Sequence, residues 1–86
     1  MIAICVWHVN PDNIAYVGPY SEQEARSALA GLEGFTHYDA EPATGQEESW
    51  QRDHVGGSEG VSLSIEEGSR FGFPPERLRV AIFGSN

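Results

Sequence analysis

Residues 18–34 read GPYSEQEARSALAGLEG, and this stretch decides the fold class. Gly18 and Pro19 end whatever precedes them, because proline cannot donate to a strand ladder or continue a helix. Ser21 followed by Glu24 is a capping box, in which each side chain satisfies the other's backbone N–H. Glu22 and Glu24 also place negative charge in the first turn, where the helix dipole favours it. Ala25, Ala28, Leu29 and Leu32 then recur at i, i+3, i+4 and i+7, one apolar stripe. Gly34 reads as the stop. A helix over 21–33 is predicted, with one face to bury and Tyr20 placed to staple back onto it.

The flanks supply that face. Residues 2–9, IAICVWHV, are a continuous apolar run of strand length, rich in Ile and Val, and read as a strand near the centre of a sheet. NPDN follows, with Pro11 and Asn13 as turn formers, and then IAYV. Two apolar runs around such a turn predict a β-hairpin, 2–9 with 14–18. Residues 36–41, THYDAE, alternate and read as a third strand ended by Pro42. VSLSI puts Val61, Leu63 and Ile65 on one face and serines on the other, a half-exposed strand. EEGSRFGFPPERL reads as a long turn and RVAIFG as a last strand. The stretch 43–60 reads either as loop or as a short helix over 45–54, since Thr44 and Glu47 form a second capping box and Glu48 and Arg52 are spaced i,i+4. The expected architecture is α+β: a single domain, 1–86, with an antiparallel sheet of about five strands, ββαβ then C-terminal ββ, carrying one helix on one face.

Composition excludes much. At 86 residues the chain buries roughly 60–65% of its unfolded surface, enough for one helix-on-sheet core. Thirteen acidic residues face five basic ones, all arginine, for a net charge of −8. That surface repels phosphates, so direct binding of nucleic acid or an anionic membrane is not expected, whereas a basic partner is favoured. The single cysteine, Cys5, excludes an internal disulfide and sits in an apolar run, where an inert thiol is the default. The N-terminal apolar run has no basic residues before it and is too short to span a membrane, so a cytoplasmic location is expected.

No motif reads as catalysis. Gly56-Gly57-Ser58-Glu59-Gly60 fits G-x-S-x-G, but no His follows Ser58 and a strand, not a helix, comes next. His37, Asp39 and Glu41 alternate onto one strand face and are all metal-ligating types, yet a solvated polar face looks the same; no metal or other cofactor is expected. His8 reads as a satisfied half-buried side chain and His54 as a loop residue beside Asp53. Two features suit protein recognition. Trp50 stands among Glu47, Glu48 and Arg52 as an apolar anchor or, on the plainer reading, as cover for the open sheet face. Phe71 and Phe73 beside Pro74 and Pro75 either cap the core or form an apolar patch.

A strand, then Gly18-Pro19-Tyr20, then a helix capped by Ser21 with Glu24 and Ala25, then a strand bearing Tyr38, resembles small uncharacterised proteins of actinobacteriophages and their hosts over about residues 14–42. The absence of lysine suits a high-GC genome. The resemblance implies a phage or prophage accessory protein acting on a host protein, and no function beyond that. The expected role is a non-enzymatic binding protein that inhibits a basic, nucleic-acid-handling host or defence protein. Carboxylates of Glu22, Asp39, Glu41, Glu47, Glu48 and Glu59 would occupy its phosphate groove, with Trp50 as anchor. The alternative is a structural or assembly component that self-associates through a strand edge or the Phe71–Phe73 patch, or a domain with no independent activity.

Overall fold

The computed structural model describes residues 1–10, 12–53 and 59–84. Five strands form one antiparallel sheet: β1 (Ile2–His8), β2 (Asn13–Tyr20), β3 (Thr36–Tyr38), β4 (Ser49–Arg52) and β5 (Val61–Glu67), in spatial order β2-β1-β5-β4-β3. Helix α1 (Glu22–Ala30) follows β2, and a 3₁₀ turn (Pro75–Arg77) leads into a short helix α2 (Leu78–Phe83). The α+β class and the first hairpin stand as expected, and β1 lies inside the sheet next to the central strand β5.

Both arms of the capping box form. The Glu24 N–H donates to Ser21 Oγ at 3.1 Å, and the Ser21 N–H donates to Glu24 Oε1 at 2.9 Å. That contact holds the Glu24 carboxyl below its usual range. The helix is shorter than its stripe: it closes at Gly31, whose N–H reaches the Ser27 carbonyl, and Gly34 lies beyond it with φ of +84°.

Alternation along β1 divides the sheet into two faces. Ile4 and Val6 point inward with Val17, Trp50, Val61 and Leu63, and meet Ala25 and Leu29 of α1 and Leu78, Ala81 and Ile82 of α2. All these are buried. Ala3, Cys5 and Trp7 point the other way, in register with Ser64 and Ser62 of β5 and with Tyr16 and Ile14 of β2.

Between Ile2 and Ile4 the pairing slips by one residue, since their partners are Tyr20 and Val17. The extra residue falls at Gly18–Pro19, a cis peptide. A bulge of this kind re-aims the side chains after it. Here it turns Tyr20 into the core, where it is 7% exposed and its hydroxyl faces the Pro75 carbonyl at 3.4 Å.

The expected last strand is corrected: residues 78–83 form α2. Leu78, Ala81 and Ile82 are its buried residues, the i, i+3, i+4 set of a helix, and Pro75 opens the preceding turn as proline does at a helix start. His8 Nε2 donates to the Ala81 carbonyl at 2.8 Å, satisfying one of the carbonyls left open in the last turn. The short helix over 45–54 is also corrected. Glu41 and Gln46 exchange backbone hydrogen bonds of 2.8 and 3.1 Å around Gly45, whose φ is +77°. The third strand therefore stops at Tyr38 rather than Glu41, and Ser49–Arg52 returns beside it as β4. A strand here turns Trp50 onto the inner face opposite Leu63. Burying an indole outweighs the modest helix support from one capping box and one charge pair.

The 68–73 segment closes the edge of the sheet. Gly72 and Phe73 N–H groups donate to the Tyr16 carbonyl, and the Gly18 N–H donates to Phe73 O at 3.0 Å. Phe71 lies against Gly18, with ring carbons 2.7–2.8 Å from where a β-carbon would stand, so any larger residue there would force the ring to shift.

Candidate functional site

The two tryptophans divide the roles. Trp50 is 7% exposed and belongs to the core. Its position corrects its reading as an exposed anchor, and also its reading as cover for the open face, since the indole is buried on the helix-bearing inner face opposite Leu63. Trp7, which the sequence reading left inside the apolar run, is 36% exposed on the outer face.

Among the described residues no helix packs on that outer face. Trp7 is paired across the ladder with Ile14 and Cys5 with Tyr16. Ile14 is 52% and Tyr16 41% exposed, so three large side chains stand together at the surface. Around them lie polar groups. Trp7 Nε1 donates to Asp12 Oδ1. Ser62 and Ser64 flank the row from β5, and a shallow depression beside Tyr16 is lined by Glu66, Glu67 and Arg70. Cys5 is buried beneath this row. Burial, then the hydrogen bond with Glu66 and the charge of that carboxylate, push its thiol up to about 12. Tyr16 is likewise raised, first by Cys5 and then by Glu66. This cysteine is a small core residue with no thiolate at neutral pH.

A second polar group sits where α1 meets the β3–β4 hairpin. Arg26 places Nη2 2.8 Å from Glu48 Oε1 and Nη1 3.0 Å from Oε2, a bidentate pair, and Nε 3.4 Å from Glu22. His37 Nε2 lies 2.8 Å from Glu48 Oε2 and 3.8 Å from Asp39 Oδ1. The Arg26 hydrogen bond holds the Glu48 carboxyl down to about 2, against the opposing effect of burial and with further help from His37.

The residues singled out from sequence therefore scatter. Glu22, Asp39 and Glu48 converge, but around Arg26, which neutralises part of their charge, and His37. Glu41 sits in the turn, accepting from Thr44 Oγ1, and Glu47 is exposed nearby. Glu59 lines a separate open cleft with His8, Arg52, Asp53 and Phe83. Arg52 and Arg79 both lie over the Phe83 ring, at 4.8 and 5.1 Å. Phe71 and Phe73 are half-buried at the β2 edge, with Phe73 packed on the core and under Arg77. They form neither a free patch nor a free edge along that segment. His54 and Ser58 lie outside the described residues.

Among the described residues no helix is long and apolar enough to cross a membrane. No family model matches the chain, and neither a curated protein nor a solved structure does.

Proposed function

We propose that this is a non-enzymatic binding protein that docks a basic protein on the outer face of its sheet, with Trp7, Ile14 and Tyr16 as the apolar centre. The observation that carries this is the set of three large, partly exposed side chains side by side on the sheet face opposite the one that the described helices cover. Trp and Tyr are favoured interface anchors, and exposed apolar patches on small proteins mark contact sites. Asp12, Glu66 and Glu67 border the row, and the chain carries a net charge of −8. A basic partner complements that charge, while a second copy of this chain repels it. The finer form of the reading is inhibition of a nucleic-acid-handling host protein, with the carboxylates standing over its phosphate-binding surface.

The test is parallel affinity capture from lysate with the wild-type chain and a Trp7→Ser/Tyr16→Ser variant. The reading expects a basic protein that the wild type retains, that the variant loses, and that duplex DNA displaces. Equal retention by both chains overturns the surface. Retention unaffected by DNA overturns the nucleic-acid form alone. A dimer of the wild type in sedimentation equilibrium that the variant cannot form would favour self-association instead.

A further inference from the structure

We propose that His37, Asp39 and Glu48 bind one divalent transition-metal cation of borderline softness, with zinc as its representative. This site lies apart from the outer sheet face and stands or falls independently of the docking reading. The sequence reading set Glu41 beside His37 and Asp39. The turn at 41–46 takes Glu41 away, and the returning strand delivers Glu48 in its place.

One ligand atom from each of His37, Asp39 and Glu48 falls within a span of 4.8 Å. Imidazole nitrogen with two carboxylate oxygens is a donor set that suits zinc and its neighbours rather than calcium or magnesium. Zinc bonds of about 2.0–2.2 Å in a tetrahedron set donors roughly 3.3 Å apart. The His37–Glu48 separation of 2.8 Å must open and the His37–Asp39 separation of 3.8 Å must close, each by about half an ångström. Asp39 is free to move, its side chain being 89% exposed. Three protein ligands leave a fourth position for water.

The surroundings fit a cation in two further ways. His37 is stacked on Trp50, with ring centroids 4.6 Å apart and planes 16° from parallel, so its Nε2 edge is held in place. Arg26 grips Glu48 through both oxygens and can keep Oε1 while Oε2 turns to the metal, the role an outer-shell partner plays. Charge points the same way. The single guanidinium of Arg26 faces the carboxylates of Glu22, Asp39 and Glu48, and one divalent cation would neutralise the negative charge left over. The cation takes the Nε2 lone pair of His37, so the proton on Nε2 moves to Nδ1 or, from a protonated ring, leaves to solvent, and the bound ring carries one proton, on Nδ1.

The experiment is calorimetric titration of chelator-treated protein with zinc, repeated with cobalt(II) and read by its visible absorption. Wild type should take up one equivalent, unaffected by millimolar calcium. His37→Ala should abolish binding. Asp39→Asn, at an exposed position where folding is not at stake, should weaken it by about tenfold or more, the scale on which even outer-shell partners act. Glu41→Gln should leave it unchanged. No uptake by the wild type, or uptake that His37→Ala and Asp39→Asn leave intact, overturns the site.

Discussion

His37 lies flat against Trp50, ring on ring at 4.6 Å, and this one stack joins the two polar and apolar halves of the hairpin. One side of the indole belongs to the core beside Leu63. The imidazole covers the side that would otherwise meet water, and its Nε2 reaches Glu48. The stack helps to bury Trp50, which is 7% exposed, whereas Trp7 is 36% exposed on the outer face.

The two tryptophans should therefore separate in fluorescence. In Trp7→Phe the remaining Trp50 emission should be blue-shifted and weakly quenched by acrylamide. In Trp50→Phe the Trp7 emission should be red-shifted and readily quenched. The reverse ranking would place the sheet faces the wrong way round.

Ser21→Ala removes the cap and one arm of the box, and should cost about 1 kcal/mol. Leu29→Ala opens a cavity between α1 and the sheet and should cost about 2–5 kcal/mol. Urea denaturation with a common slope checks both. An unchanged midpoint for Ser21→Ala would contradict the observed helix start.

Gly18→Ala should destabilise by about 1–3 kcal/mol, as overpacking does. The added carbon meets Phe71 and, at 3.1 Å, the Ile2 carbonyl. Phe71→Ala in the same chain should relieve part of that cost. Additive costs would mean that Phe71 does not lie on Gly18.

Cys5 should resist iodoacetamide at pH 8 in the folded state and react freely in urea. The sign for stability follows from its raised value. A thiol near 9 in the unfolded chain and about 12 in the fold contributes stability below pH 9 that is lost as the pH rises towards 12. Cys5→Ser should flatten that part of the stability profile. Rapid labelling of the native protein would show the thiol to be exposed.

Local rules carried the parts of the fold that local rules can carry. The S-x-x-E box placed α1 to within a residue at its start, and the alternation of VSLSI gave the two faces of β5. The 43–53 segment was not legible because Thr44 and Glu47 satisfy a capping pattern that tertiary burial of Trp50 overrides. The C-terminal helix left a signal that RVAIF alone hides: Leu78, Ala81 and Ile82 share a helical face only when Leu78 is included. The outer surface needed pairing information. Trp7 looks like any residue of an apolar run until the ladder sets it beside Ile14 and opposite Ser62. The convergence of Arg26 with Glu48, across 22 positions of sequence, left no trace in spacing.

The most direct test of the docking face is a two-dimensional amide and indole NMR titration of the labelled protein with the basic partner recovered by capture. The account predicts that the Trp7 indole N–H and the amides of Ile14, Tyr16, Ser62 and Ser64 shift or broaden together, that the Trp50 indole stays in place, and that the changes weaken as salt rises. Changes centred on α1, the β3–β4 hairpin or α2, with the Trp7 indole unmoved, would contradict it.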